Sequence, residues 1–286
     1  TTLFRSANGA SLIANSGTIG TALDAFEINL TSRASGATGM EGTLFAWAAQ
    51  DVYLTETSGD LAIDAVWSQA GQVVLTSHLS MLDGFDSGIS ASSLATASGA
   101  LAAHLSVLAL PPSQVTGLPG IDVAAARDIT LKARFGNIGE FGNDLDLDTA
   151  STTSSKLRAS SYLSSYLIEV NGNLYLDQVA AGKDEYAFIT VPTGSILNAA
   201  TVPDAGNLSS GKAWLFARDN IGSAVDPLLS LVGKLEGQAT TGNAWVLNVG
   251  LLEIGGVTSG GSGLTAGKAV NLRAMSPIRV TSDINA

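Results

Sequence analysis

Short stretches of alternating apolar and polar residues recur along most of the chain. In the segment that begins at Phe26, the apolar residues Phe26, Ile28 and Leu30 alternate with Glu27 and Asn29. A period of two residues is typical of β-strands, because successive side chains point to opposite faces. Glycines separate many of these stretches, so the pattern predicts numerous short strands joined by tight links. The other stretches that we interpret as strands are 43–47, 51–55, 60–64, 71–76, 144–148, 166–170, 173–177, 186–190, 194–198, 244–248, 251–254, 269–273 and 278–282.

One phrase occurs three times and indicates an internal repeat. The copies end at Gly20, Gly139 and Gly222, and an isoleucine precedes each glycine. Glycine suits a backbone conformation that other residues rarely adopt. Four residues after each glycine comes an aspartate or an asparagine, whose short side chain favours a turn. We therefore predict three equivalent bends that lie along a common edge of a repeating fold.

The residues around the bends also predict which side chains face inward. Trp214 stands at the same distance before its glycine as Leu131 does before Gly139, and we expect both on the same strand face. After the third bend, alternation predicts inward residues at 228 and 230, but the apolar residues Leu229 and Leu231 occupy the opposite phase. We therefore predict that the strand slips by one residue here.

Repeated phrases in register favour a solenoid of stacked coils with parallel strands. A β-sandwich also fits short, closely spaced strands, but it does not require the repetition. One coil cannot bury its apolar stripe alone, whereas stacking on the next coil does so. With roughly 20–25 residues per coil, the chain makes on the order of 11–13 coils and a rod roughly 55–65 Å long. We predict a single all-β parallel solenoid over residues 1–286.

Residues 79–120 break the strand pattern and predict an insertion. Between 90 and 110, apolar residues such as Leu101 and Leu105 recur at helical spacing. Pro111 would end such a helix, because proline lacks the backbone N–H that the helix needs. We therefore expect a short helix that lies against the side of the solenoid, followed by a loop.

Composition limits the possible partners. The chain carries a formal net charge of −11, and such a surface repels nucleic-acid phosphates, so we expect no nucleic-acid binding. Hydrophobic residues make up 45% and charged residues only 14%, which argues against disorder. Cysteine is absent, which excludes disulfides and thiolate chemistry. No apolar run reaches the roughly 18 residues that a membrane span needs.

Acidic residues are the first candidates for chemistry. Asp144, Asp146 and Asp148 share one strand face and could hold Ca²⁺, which takes six to eight oxygen ligands. The alternative is a solvated outer face above inward Leu145 and Leu147. Glycoside cleavage needs two acids that converge, whereas the remaining acids are scattered at one or two per coil. Those that we considered are Glu56, Asp64, Glu169, Asp177 and Glu253.

Histidines and tryptophans are the other candidates. His78 and His104 are isolated and lack the second ligand at fixed spacing that a metal site needs. Trp67 is the tryptophan that we expect to be exposed and able to stack on a sugar. No catalytic motif appears, so we expect no enzymatic activity, no cofactor and no bound metal ion. The tryptophans that we assign to core or corner packing are Trp47, Trp214 and Trp245.

Several of these segments resemble repeats of filamentous haemagglutinin-like bacterial adhesins. They are Gly-Asn-Ile-Gly139 with Asn143-Asp-Leu145, Asp-Asn-Ile-Gly222 with Asp226-Pro-Leu228, and the segments 51–60 and 128–133. The resemblance covers most of the chain outside 79–120. It implies a right-handed parallel β-helix within a very large secreted protein that is displayed at the bacterial cell surface.

The expected function is therefore structural and adhesive, as part of a stiff rod, fibre or sheath. The expected partners are other copies of the chain, or glycans on a host or neighbouring cell surface. We expect the inserted helix and the loops at 33–42 and 201–210 to make the contacts. The alternative is a carbohydrate-binding or carbohydrate-cleaving β-helix similar to a phage tailspike.

Overall fold

A computed structural model describes residues 3–6 (backbone only), 9–30, 42–84, 121–150, 153, 155–201, 206–261 and 263–286. Within these ranges the protein consists of β-strands and contains no helix. The strands are β1 (Leu3–Ser6), β2 (Ala10–Ala14), β3 (Phe26–Leu30), β4 (Thr43–Ala48), β5 (Val52–Glu56), β6 (Leu61–Ser68), β7 (Val73–Ser77), β8 (Met81–Asp83), β9 (Val123–Ala125), β10 (Ile129–Ala133), β11 (Leu145–Asp148), β12 (Leu157–Ser161), β13 (Ser165–Glu169), β14 (Leu174–Ala180), β15 (Tyr186–Val191), β16 (Ile196–Asn198), β17 (Leu208–Ala217), β18 (Leu228–Ala239), β19 (Ala244–Asn248), β20 (Leu252–Ile254), β21 (Leu264–Ala266), β22 (Val270–Ala274), β23 (Ile278–Val280) and β24 (Ile284–Asn285).

The chain alternates between two ladders of parallel strands. Ladder A contains β1, β3, β5, β7, β10, β12, β14, β16, β19 and β22, with the first halves of β17 and β18. Ladder B contains β2, β4, β6, β8, β9, β11, β13, β15, β20, β21, β23 and β24, with the second halves of β17 and β18. The prediction of an all-β stack of parallel strands is confirmed. The described strands make about eleven coils, so at about 4.8 Å per coil the stack is roughly 50 Å long.

The apolar core lies between the two ladders and runs along the stack. In ladder A, Ile129 pairs in register with Val73, and Leu131 pairs with Leu75. All four side chains are buried. Each contributes roughly 1.5–3 kcal/mol through burial. Because these side chains contact their register partners in the adjacent coil, the apolar core is continuous from coil to coil.

The three Ile-Gly phrases share one structure, which is an excursion out of a strand. Ile19 donates its N–H to Asp51 and accepts the N–H of Tyr53, so it is part of ladder A. The chain leaves the ladder at Gly20, whose φ is +66°, and returns at Phe26 opposite Leu54. The other two glycines have a φ of +67°, and the isoleucines before them make the equivalent bonds. The predicted equivalence of the three bends is therefore correct.

The prediction that the bends share one edge is wrong. Ile19 and Ile221 belong to ladder A, and the bends that follow them leave that ladder. Ile138 instead pairs with Met81 and Ser165 in ladder B. The reason is that both ladders are parallel and bonded in the same way. The same phrase therefore fits either ladder, and its spacing along the chain does not show which one it enters.

The predicted phases are also corrected. Leu228, Ser230 and Val232 face inward, and Leu229 and Leu231 face outward, so no slip follows the third bend. The inward position predicted for Trp214, the residue equivalent to Leu131 in the repeat, is also wrong. Trp214 and Phe216 point outward because Ala213, Leu215 and Ala217 fill the interior of that coil.

Two predicted boundaries shift. Met81–Asp83 pairs with Leu61–Ile63, so ladder B continues past 79 and resumes at Val123. The expected polar loop at 201–210 is shorter, because Leu208–Ser210 already belongs to β17. Strand β12 had no counterpart in the sequence prediction. The predicted helix at 90–110, His104 and nearly all of the loop at 33–42 lie outside the described residues.

Candidate functional site

Six aromatic side chains form a continuous band on the outer face of ladder B, which we name the aromatic ribbon. Three of them are register partners in consecutive coils, since Tyr166 pairs with Phe188 and Phe188 pairs with Trp214. Phe188 is at the centre, with its ring 5.4–6.0 Å from four of the other rings. The members of the ribbon are Phe141, Tyr166, Tyr186, Phe188, Trp214 and Phe216.

Successive rings of the ribbon stack with an offset. The Tyr166 and Phe188 rings are 5.4 Å apart at 26°, and the Phe188 and Trp214 rings are 6.0 Å apart at 24°. Carbon atoms in contact are about 3.5–4.0 Å apart, so rings at these separations are offset and leave part of each face uncovered. Phe141 stands nearly perpendicular to Tyr166 and Phe188 and is 78% exposed.

The strands themselves place the rings outside. In β15, Ala187, Ile189 and Val191 are fully buried, so Tyr186 and Phe188 must face outward. Strand β17 follows the same alternation, with Ala213, Leu215 and Ala217 inside and Trp214 and Phe216 outside. Parallel pairing in register then superimposes the outward rings of successive coils.

A loop closes each end of the ribbon along the stack. At one end, the excursion 139–144 places Phe141 against the first rings. At the other end, loop residues 255–261 fold over Glu236, which is the register partner of Trp214. Glu236 accepts the N–H groups of Val257 (3.0 Å) and Thr258 (3.1 Å). The ribbon is therefore the floor of a shallow trough, roughly 15 Å long at about 4.8 Å per coil.

Hydrogen-bonding groups line one side of this trough. Lys212 Nζ lies 4.3 Å from the centre of the Tyr186 ring and donates to Tyr186 Oη at 2.8 Å. In the neighbouring coil, Ser164 Oγ donates to Glu185 Oε2 at 2.9 Å. The surface thus combines aromatic faces with a row of hydroxyl, ammonium and carboxylate groups.

A second aromatic cluster lies on the turns that lead from ladder A to ladder B. His78 contacts Phe135 at 5.2 Å between ring centres, and Phe135 lies 6.3 Å from Tyr162. Phe135 and Tyr162 are both exposed. The candidate metal ligand His78 is therefore part of an aromatic contact.

Three acids converge where the chain leaves and re-enters ladder B. Asp122 accepts the backbone N–H of Asp146 at 2.8 Å. Burial raises the pKa of Asp122 well above its ordinary value, and the charge on Asp83 raises it further. Burial raises the pKa of Asp146 to about 7, with added repulsion from Asp83 and Asp144. Sequence reasoning singled out Asp146 but did not predict this cluster, because the register of ladder B alone brings these distant positions together.

The five acids that we considered for glycoside cleavage do not converge. Glu56 accepts the N–H of Leu30 at 2.8 Å, and Glu169 accepts that of Thr149 at 3.1 Å, so both cap a strand of the preceding coil. The remaining three lie elsewhere: Asp177 pairs with Arg158, Glu253 pairs with Lys234, and Asp64 lies half-buried in β6.

The three aspartates proposed for Ca²⁺ do not form a common site. They lie outward above fully buried Leu145 and Leu147, as the alternative interpretation predicted, but Asp146 is not fully solvated, because burial raises its pKa to about 7. Asp148 accepts Ala150 N–H at 3.0 Å and Asn171 Nδ2 at 2.9 Å, whereas Asp146 interacts with the acid cluster. Among the described residues, no group of three or more histidines or acids is arranged to hold a metal ion.

Trp67 and Trp214 differ from prediction, whereas Trp47 and Trp245 do not. Trp47 is 6% exposed, as expected, and pairs in register with Trp67, which is only half-buried. Trp245 lies half-buried opposite the bend at Gly222. Trp214 was expected in the core and instead belongs to the ribbon. Sequence reasoning missed the ribbon because it aligned Trp214 with the inward residue Leu131.

Comparisons with known proteins return no match to a family model, to a curated protein or to a solved structure. In the described ranges, none of the secondary structure is a helix with the length and apolar character needed to cross a membrane.

Proposed function

We propose that this chain is a structural, adhesive segment of a large secreted bacterial surface protein. In this proposal it is a right-handed β-helix that acts as a stiff rod, with a short helix inserted between 90 and 110. The observation that supports it is the unbroken parallel pairing that runs through about eleven coils in both ladders.

Side-chain hydrogen bonds at the turns also connect successive coils and support the rigidity of the rod. An aspartate or asparagine just before a strand accepts the backbone N–H of the next coil. In ladder A, Asp51 accepts from Gln72 at 2.9 Å, and in ladder B, Asn137 accepts from Ser164 at 2.9 Å. The same bond recurs at Asp60 with Ser80, Asp128 with Lys156, Asn173 with Ser195 and Asn220 with Asn243. Each such bond contributes about 0.5–1.5 kcal/mol and ties one coil to the next.

Electron microscopy of the purified chain tests this proposal. We expect unbranched rods at least roughly 50 Å long, given about 4.8 Å per coil. Deletion of residues 90–110 should leave the rods intact and weaken assembly or attachment, because the flanking strands β8 and β9 both pair with β6 and so lie in one coil. Compact spheres for the intact chain would contradict the rod, and an unfolded deletion product would contradict the assignment of 90–110.

The second candidate is a carbohydrate-binding or carbohydrate-cleaving β-helix, and the aromatic ribbon favours binding. Cleavage would need a pair of acids that a sugar can reach. Asp83 and Asp122 interact closely, but they are only 8% and 4% exposed. Release of reducing sugar ends from polysaccharide by the purified chain would favour the cleaving form of this candidate over the adhesive rod.

A further inference from the structure

We propose that the aromatic ribbon binds a short segment of an uncharged polysaccharide. This inference rests on the proposed adhesive role and names the partner and the contact surface. Sugar rings have an apolar C–H face and a rim of hydroxyls, so they match a floor of aromatic rings beside a row of polar groups.

The floor and the rim are both present. Phe188 and Trp214 supply overlapping ring faces at 6.0 Å, and Phe141 from the bend stands nearly perpendicular to Phe188. Tyr186 Oη and Lys212 Nζ lie at the side of the rings, joined at 2.8 Å. A hydroxylated ligand on the rings would therefore reach donors and acceptors without displacing the core.

A second copy of this chain is a poorer occupant. A stable protein interface buries about 800 Å² on each partner, whereas all the rings except Phe141 are already half-buried among their neighbours. The ribbon also lies between the loop segments 139–144 and 255–261, which restrict contact with a broad, flat surface. A second copy would carry the same net charge of −11 and would be repelled.

An added β-strand is excluded at this site. Strand β13 pairs with β11 on one side and β15 on the other, and β15 pairs with β17. The backbone groups that strand addition would use are therefore already bonded. An anionic polysaccharide is also disfavoured by the acidic surface, which leaves an uncharged one.

The test is migration of the purified chain through native gels that contain hydroxyethylcellulose or galactomannan. Polygalacturonate gels provide the anionic comparison. Phe188→Leu keeps an apolar side chain at the centre of the ribbon but removes its ring, and Trp214→Ala removes a neighbouring ring. We expect retardation in a neutral gel, weakened about tenfold or more by either variant, as for a central contact residue.

The matched control is Trp245→Ala, because Trp245 is also half-buried on an outer strand face but belongs to ladder A. It should bind as the unaltered chain does. Thermal unfolding identifies any variant that loses its fold, and Phe188→Leu is the variant designed to retain it.

Any of three results in the gels would overturn the inference. They are no retardation in either neutral gel, equal weakening by Trp245→Ala, or retardation by polygalacturonate alone. Concentration-dependent association that Phe188→Leu abolishes, without neutral-glycan binding, would also overturn it in favour of a second copy. Rods in micrographs of the same sample would show that the structural proposal survives any of these failures.

Discussion

Gly139 lies directly against the backbone carbonyl of Tyr166, in the next coil. A Cβ at Gly139 would collide with that carbonyl oxygen and would lie 2.9 Å from Leu145 N. Its φ of +67° is also a conformation that L-residues rarely adopt. Both the fold of the bend and the packing of Phe141 on Tyr166 therefore depend on the absence of a side chain at this position.

Gly139→Ala should lower the free energy of unfolding by more than about 2 kcal/mol, because the left-handed backbone and the collision both act. The control is Gly142→Ala in the same loop. Gly142 has a φ of +84° but would meet nothing within 4 Å, so its substitution should cost only about 1 kcal/mol. Urea unfolding measures both. Equal losses would show that the close approach to Tyr166 has no effect.

Glu169 should make the protein less stable as the pH rises. Burial raises its pKa to about 8, even though hydrogen bonds from Thr149 lower it. The folded state therefore holds a proton that the unfolded state releases near its ordinary value of 4.5. This contribution is complete below pH 4.5 and disappears as the pH rises to about 8.

Glu169→Gln tests this dependence, since the amide retains an acceptor for Thr149 N–H but does not ionise. Urea midpoints at pH 5, 7 and 9 should fall for the unaltered chain by the equivalent of a few kcal/mol, on the order set by the pKa shift. The variant should show a shallower decline, and the exposed substitution Glu140→Gln should leave the slope unchanged. An unchanged slope in Glu169→Gln would contradict the assignment.

The acid cluster should loosen ladder B above neutral pH. The pKa values of Asp122 and Asp146 are raised by burial and by mutual repulsion. As the pH rises past 7, the protons that lessen this repulsion are lost. We expect amide exchange at Val66, which donates to Asp122 O at 2.7 Å, to accelerate beyond the intrinsic pH effect.

Asp122→Asn should remove most of that acceleration, because it keeps an acceptor for Asp146 N–H and removes one charge. Hydrogen exchange followed by mass spectrometry at pH 6 and pH 9 provides the measurement. Peptides from β19, far along the stack, serve as the internal reference. Equal acceleration in the variant would show that these carboxyls do not control the region.

Asp177 joins two coils and should be the more sensitive member of its ion pair. It accepts Arg158 Nε at 2.9 Å and Thr201 N–H at 2.6 Å. Burial would raise its pKa, but these hydrogen bonds outweigh it and lower the pKa. Its contribution is therefore present above its ordinary pKa of 3.8 and is lost as the pH falls further.

Asp177→Ala should cost about 1–3 kcal/mol, because it leaves the N–H of Thr201 and the guanidinium without their acceptor. Arg158→Ala should cost less, about 1 kcal/mol or below, since that side chain is 45% exposed. Thermal unfolding at pH 7 compares them. A larger loss for Arg158→Ala would contradict this order.

Local alternation predicted the strands well, because burial on one face leaves a direct trace in the sequence. The segments around Ile28, Leu54 and Val246 are strands within one residue of their predicted bounds. The bends were predictable for a similar reason, since Gly20 and its two counterparts need a backbone conformation that favours glycine.

Arrangement between coils was not predictable. Ile138 joins the opposite ladder from Ile19, and nothing in the phrase distinguishes the two ladders. Trp214 was placed inside because large apolar side chains usually are, yet Leu215 and two alanines already fill that layer. The meeting of Asp83 with Asp122 depends on where β9 re-enters the ladder, which no local pattern encodes.

The excursion at Gly20 closes on itself before returning to the strand. Thr21 and Asp24 exchange backbone hydrogen bonds of 2.9 and 3.2 Å, and Phe26 then pairs with Leu54 in ladder A. Leu23, between Thr21 and Asp24, is fully exposed, so the pairing of the coils does not depend on the length of chain at this tip. A foreign domain with adjacent termini, spliced at the tip of this loop, would be carried outside the column at a defined height, which makes the protein a frame for displaying cargo.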